Sequence, residues 1–446
     1  MKDELYEKDN RNIWHPLKPY QKGQKALIAK QAKGAWVTDI EGETYLDGMS
    51  GLWCVNVGYG REELAEAAAR QLRELSYMAL TNSHVPAIEL SEKLNEWLGG
   101  NYRYLFSNSG SEANETAFKV ARQYHAQTGQ PEKYKIISRY RSYHGSTFAA
   151  MAATGQAQRK YKYEPLPPGF IHVKAPEEYR RPAEYSFEQW SIACADMMEE
   201  SIMMERPETV AAIIMEPLIT GGGILIPHES YLKKIEEICK RHNVLLIIDE
   251  VICGFGRTGK NFGFHHYGIQ PDIITLAKGM TSGYLPLSAS AVRPEIYEAF
   301  RDEDESGHLR HVNTFGGNPA ACSLALKNLE IMEKEKLVEQ SRKLGDRIRK
   351  EFNQLMTHPY VGHIRHKGLL FGIELVKDKV SKEPIDASIV GEVVATCKEK
   401  GLIVGKNGDT ISGLTNIITL APPLSITEDD VTFIVTTLRE VLAKVK

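Results

Sequence analysis

The chain has 446 residues, 42% of them apolar and 25% charged, with a formal net charge of −3. This balance describes a globular protein of roughly two or three domains, able to bury a sizeable core. A charge so close to zero excludes the basic footprint expected of a nucleic-acid or anionic-membrane binder.

The chain begins Met1-Lys2-Asp3-Glu4-Leu5. That start is too polar for a signal peptide, and its KDEL letters lie at the wrong end for a retention signal. The apolar runs are strand-sized, so no membrane-spanning helix is expected. Cys54, Cys194, Cys239, Cys253, Cys322 and Cys397 are scattered and form no CxxC pair. Such usage fits a reducing compartment, and a cytoplasmic location is expected. The sequon Asn114-Glu115-Thr116 then carries no meaning.

In chain order, Ala35–Asp47 reads as a hairpin, broken by Glu41-Gly42. Arg103–Phe106 reads as a strand, followed by a polar turn and a helix from about Ser111. Further strands are expected at Lys135–Ser138, Val210–Met215, Val244–Ile248 and Ile273–Leu276. Between them, Leu232, Ile235, Ile238 and Cys239 fall at helical spacing within Ser230–His242. After about residue 326 comes a long helical stretch, then the strand Leu369–Val376, then helix again. Alternating strands and helices predict an α/β fold with a mostly parallel central sheet, helices on both faces. The two chain ends predict a smaller α+β domain. The expected division is 1–70 and 326–446 for the small domain, 71–325 for the large one.

Ligands of such sheets sit beyond the carboxyl ends of the strands, and three candidates lie there. Ser107-Asn108-Ser109-Gly110-Ser111-Glu112 joins a strand to a helix. It reads either as a phosphate cradle, with free N–H groups and small residues, or as a serine N-cap. Asp249, after an apolar run, reads as the partner of a buried cation or protonated ring nitrogen, or else as a cap or surface ion pair. Lys278, flanked by Ala277 and Gly279, reads as an amine able to form a Schiff base, or else as a solvated lysine. Gly254–Gly259 matches the GxGxxG pattern of a nicotinamide site. No amphipathic helix follows it, so that reading is set aside. His265-His266 and His308 with His311 lack completing ligands at metal spacing.

Taken together these residues resemble the class III aminotransferases, of PLP-dependent fold type I, from about His15 to the C-terminus. The segments that carry the resemblance are Asp47–Gly60 (DGMSGLWCVNVGYG), Ser109–Glu112, Tyr143–Gly145, Glu216-Pro217, Asp249–Gly259, Ala277–Gly279 and Ala421–Pro423. Trp53 within Asp47–Gly60 is similar to the ω-transaminase branch.

The resemblance implies pyridoxal 5′-phosphate (PLP) as cofactor, held by Lys278 through a Schiff base. It implies Asp249 on the pyridinium nitrogen, with Glu216 fixing the hydrogen bonds around them. Gly110 and Ser111 would bind the phosphate, and Tyr143 and Val251 would stack on the two faces of the ring. Ser109 and His144 are further implied cofactor contacts. Thr314 would reach the phosphate of the neighbouring subunit, which makes the expected assembly a homodimer with shared sites. Leu17, Trp53 and Tyr143 would line the substrate pocket. Many ω-transaminases carry a swinging arginine where this chain has Gly405, so Lys406 is the expected carboxylate partner. The Asn407–Asn416 segment that follows is expected to be a mobile loop.

The implied reaction is transfer of an amino group from an amine or an ω-amino acid, such as β-alanine or taurine, to pyruvate. Rivals within the family are ornithine-, 4-aminobutyrate- and diaminopelargonate-type aminotransferases. Isomerases and decarboxylases share the same scaffold. A non-catalytic PLP-fold regulator and an NAD oxidoreductase are rivals from other classes.

Overall fold

The computed structural model describes residues 2–17, 19, 25–301, 306–408 and 410–445. In chain order its strands are β1 (Ala29–Lys33), β2 (Trp36–Asp39), β3 (Thr44–Asp47), β4 (Arg103–Ser107), β5 (Lys135–Arg139), β6 (Phe170–Val173), β7 (Val210–Met215), β8 (Leu245–Asp249), β9 (Ile273–Leu276) and β10 (Ser288–Val292). They continue with β11 (Val361–Lys367), β12 (Leu370–Leu375), β13 (Leu402–Ile403), β14 (Gly405–Lys406) and β15 (Ile417–Leu420).

The centre is a seven-stranded sheet of order β4-β10-β9-β8-β7-β5-β6. β6, β5, β7, β8 and β9 run parallel to their neighbours, while β10 is antiparallel to both β9 and β4. The expectation of a mostly parallel sheet is met. The physical cause is visible in β7 and β8, whose residues are buried throughout. An apolar run without alternation needs cover on both faces, and crossover helices supply it. The helices Gly110–Gln127 and Glu229–His242 do so, and both begin within a residue of where the sequence pattern places them.

Two sequence signals failed in this sheet. β10 reads Ser-Ala-Ser-Ala-Val, without an apolar run, yet is fully buried, and Ser290 Oγ donates to the Ala113 carbonyl at 2.7 Å. β6 is a four-residue edge strand, too short for a periodic pattern. β1 and β11 were likewise not expected; both carry Lys or Arg at several positions.

The chain ends meet. β13 pairs in parallel with β3, Leu402 opposite Leu46, and completes the sheet β1-β2-β3-β13. The hairpin expected at Ala35–Asp47 is β2–β3. A second small sheet has the order β11-β12-β15-β14. The divisions expected at 70/71 and 325/326 fall inside the helices Glu62–Glu74 and Pro319–Lys334. Among the described residues no helix is long and apolar enough to cross a membrane.

Candidate active site

β8 and β9 are neighbours, with Asp249 in register with Thr275. The last residue of β8 and the turn after β9 therefore lie at the same carboxyl end of the sheet, where the charge of Asp249 acts on the Lys278 amine. Asp249 is buried and held by three donors. Its Oδ2 accepts from His144 Nδ1 at 2.8 Å and from Asn114 Nδ2 at 2.9 Å, and its Oδ1 accepts from Val251 N–H at 3.1 Å. Two strong donors on Oδ2 leave Oδ1 with one backbone donor, free for a further partner.

His144 is buried with its other ring nitrogen, Nε2, unpartnered. The Nδ1 contact with Asp249 fixes the imidazole against the carboxylate.

Lys278 stands at φ +46° in the turn Lys278–Met280. A left-handed conformation is strained for a side chain other than glycine, and such strain concentrates at functional sites. Desolvation pulls its amine below the ordinary lysine value, against the attraction of Cys54, Asp249 and Glu216.

Glu216 follows β7 and is buried. Its Oε2 accepts from Thr220 N–H at 3.0 Å and Oγ1 at 2.5 Å, and its Oε1 accepts from Tyr143 N–H at 3.2 Å. Burial raises its pKa. The carboxylate thus fixes the backbone of Tyr143. Glu250, beside Asp249, accepts from Gly263 and Phe264 N–H at 2.9 and 2.7 Å, and burial pushes its pKa up to about 8.

The start of the helix Gly110–Gln127 forms another wall. Ser109 is its cap: Ser109 Oγ accepts from Glu112 N–H at 3.3 Å, and Glu112 returns a carboxylate to Ser109 N–H at 3.1 Å. Ser109 and Glu112 thus form a reciprocal capping box. Ser111 Oγ accepts from Ser146 N–H at 3.0 Å, which leaves its hydroxyl hydrogen to donate elsewhere. A Cβ on Gly110 would lie 2.9 Å from both methyls of Val251, so only glycine lets this helix start approach Val251. Trp53, at φ +64°, packs half-buried against the cluster of Ile224, Leu370 and Ala421.

Shared hydrogen bonds and close contacts therefore link Asp249 with His144, Glu216 with Tyr143, and Gly110 with Val251, with Ser111 bonded to the same Tyr143–Ser146 segment. Leu17, Thr314 and Lys406 share none of these bonds. Leu17 is 74% exposed. Thr314 is exposed, its carbonyl accepting from Tyr77 Oη at 2.9 Å. Lys406 is exposed on β14, where successive side chains point to opposite faces. A Cβ on Gly405 would point at Thr419 Oγ1 (2.5 Å) and Met49 Cε (2.7 Å), so Lys406 faces away from Met49. The register of β14 thus turns Lys406 to the face opposite the one that a side chain at 405 would take. In the loop expected at Asn407–Asn416, Asp409 lies outside the described residues; Asn407 Nδ2 donates to the Leu414 carbonyl at 2.6 Å.

Asn114 is the residue that sequence reading missed. Its Nδ2 also donates to the His144 carbonyl at 2.6 Å, and its Oδ1 accepts from Thr275 Oγ1 at 2.8 Å. It stands one helical turn past Gly110 and Ser111, on the same face. That spacing was the available signal.

The donor set suits a phosphorylated pyridine aldehyde. It offers an anion for a protonated ring nitrogen, an amine of lowered pKa for an aldehyde, and small residues with a hydroxyl for a phosphate. The comparisons agree. The family model described as Aminotransferase class-III matches residues 19–442. An uncharacterized aminotransferase of Bacillus subtilis, YhxA, is 61% identical over 436 residues, covering 98% of this chain and 96% of its own. A taurine–pyruvate aminotransferase of Bilophila wadsworthia is 42% identical, covering 97% and 96%. A thermostable (S)-enantioselective omega-transaminase from Thermomicrobium roseum superposes with a TM-score of 0.93 at 39% identity, covering 100% of this chain and 99% of that one.

Proposed function

The chain belongs to the class III aminotransferases, and from that premise we propose that it moves an amino group from an amine or a β-alanine- or taurine-like acid to pyruvate, using PLP. The class III aminotransferases are PLP-dependent enzymes of fold type I. The observation that carries the reading is Asp249, held by Asn114 and His144, at the same carboxyl end of the sheet as the desolvated Lys278.

Ser111 and Gly110 would hold the phosphate, with Ser109 shaping the helix start as its cap. Tyr143 and Val251 would flank the ring, and Asp249 Oδ1 would hold a proton at the ring nitrogen. Glu216 and His144 position Tyr143 and Asp249. When bound, PLP supplies an electron sink for negative charge at the substrate α-carbon. Lys278 Nζ, its pKa lowered by desolvation, would take the proton from that carbon as base and deliver it as acid to the carbon that was the cofactor's aldehyde. Its fixed place beside the substrate removes the entropic cost of bringing a base from solution. Trp53 and Tyr143 exclude water from the reacting carbon.

A homodimer belongs to the same proposal. Thr314 is flanked by the exposed side chains of Val312 (62%) and Phe315 (64%), with Phe315 edge-on to exposed Tyr77. An exposed apolar group of this kind suits a second copy, which would bring Thr314 to the neighbouring phosphate and Leu17 to a pocket rim. The small domain of 1–70 and 326–446 beside the large domain of 71–325 is also proposed. So is a cytoplasmic location, supported by six free cysteines, five of them buried.

The test is product analysis. Purified protein with PLP should form alanine from pyruvate with β-alanine, taurine or 1-phenylethylamine as donor. Glutamate formed from 2-oxoglutarate, with no alanine from pyruvate, would move the chain to another branch of the family.

A further inference from the structure

An acid substrate brings a carboxylate or sulfonate into a partly desolvated pocket, where it needs a cation. The Gly405 side of β14 cannot supply one, because Met49 and Thr419 already fill the space beside it. Lys406 faces the other way. The cations near Tyr143 and Glu216 are the next candidates, and three of them are engaged. Arg139 donates to the Glu216 carbonyl. Arg141 is paired with Glu177 and the Gly222 carbonyl, both at 2.6 Å. Lys160 donates to the Ala152 carbonyl at 3.3 Å and lies 3.2 Å from His172 Nε2.

Arg159 is different. Its guanidinium carbon lies 5.3 Å from the centroid of the Tyr143 ring, and among the described residues no carboxylate or carbonyl accepts from the guanidinium. A guanidinium held over an aromatic face keeps its N–H donors at its own edge, where they can take a planar or tetrahedral anion through two bonds. We propose that Arg159 binds the acid group of the acceptor and of acidic donors, a specificity role that rests on the aminotransferase reading above.

The segment bearing Arg159 is tied to the segment bearing Tyr143. Arg141 N–H donates to the Gly155 carbonyl at 2.7 Å, Gly155 N–H to the Ser142 carbonyl at 3.0 Å, and Gln156 Nε2 to the Arg141 carbonyl at 2.9 Å. The cation is thus positioned before substrate arrives. It needs no swing when an apolar amine takes the acid's place, because Arg159 is half-buried. Water and the Tyr143 ring then satisfy it.

The experiment compares wild type with Arg159→Gln, Arg159→Lys and Lys406→Met, all as PLP-loaded protein. The readout is the ratio of kcat/KM for β-alanine or taurine to kcat/KM for 1-phenylethylamine, together with the ratio for pyruvate over propanal. Arg159→Gln should lower both ratios by roughly 10–100-fold, the loss expected for a hydrogen bond to a charged group. Arg159→Lys should recover part of the loss. Equal loss on acidic and neutral substrates would reduce Arg159 to a support for Tyr143 and overturn the proposal. A selective loss in Lys406→Met with none in Arg159→Gln would overturn it in favour of the β14 lysine. Absence of alanine formation by the wild type with every donor would overturn the aminotransferase reading, and this assignment with it.

Discussion

Asn114 donates to Asp249 through the same amide nitrogen that holds the His144 carbonyl, at 2.9 and 2.6 Å. One side chain thereby sets both the carboxylate and the backbone of the histidine that donates to it. Asn114→Ala removes a hydrogen bond to a charged group, worth about 1.5–3 kcal/mol. The variant should lose PLP affinity, measured by equilibrium titration of cofactor absorbance. In an Asp249→Asn background the same change should cost much less, because the two residues act on one bond system. Additive losses would mean that Asn114 only supports the helix.

Asp249→Asn takes away the negative charge opposite the ring nitrogen. Cofactor binding should weaken by about 1.5–3 kcal/mol, and turnover should fall by a larger factor. Near-normal kcat at saturating PLP would contradict the role given to Asp249 Oδ1.

Lys278 makes two predictions. Borohydride reduction of the PLP-loaded protein followed by peptide mapping should place the cofactor on Lys278, and label on another lysine would displace the site. The lowered pKa also has a stability consequence for the cofactor-free protein. The unfolded chain binds a proton at Lys278 up to the ordinary value of 10.5, the folded chain only to a lower pH. Between those values the unfolded state holds more protons, so stability rises with pH, and below both values the full penalty remains. Lys278→Met removes it. The melting-temperature gain of that variant should be larger at lower pH and should shrink as pH approaches 10.5. A gain independent of pH would indicate packing alone.

Thr314 is exposed in the single chain, away from the bonds that organise Asp249 and Glu216. Mixing Lys278→Ala with Thr314→Asp should restore activity, because hybrid dimers hold one site with both native residues. Random exchange predicts roughly a quarter of the wild-type rate. No recovery, with exchange verified by mass spectrometry, would count against a shared site.

Gly405→Arg should destabilise the fold. Its Cβ would press on Thr419 Oγ1 and Met49 Cε, and such overpacking costs about 1–3 kcal/mol. Met49→Ala in the same chain should return most of the lost melting temperature. Full stability in the single variant would show that Met49 yields freely.

Unbroken apolar runs marked β7, β8 and β9 by themselves, since a run such as Val210–Met215 can be buried only inside a two-faced sheet, and helical spacing marked the helix Glu229–His242. The same runs located Asp249 and Lys278, because strand ends are marked by where apolar residues stop. The short motifs identified the family and with it the chemistry. Tertiary structure decided what depends on neighbours distant in the chain. β10 is a strand because Leu276 and Ser107 border it, not because of its own residues. Asn114 belongs to the site because its helix packs over β8 and β9, a relation with no local signature. Lys406 and Gly405 exchange significance through the register of β14, where one step along a strand turns a side chain to the opposite face. Arg159 gains its place from the ring of Tyr143 and from partners that engage Arg139, Arg141 and Lys160.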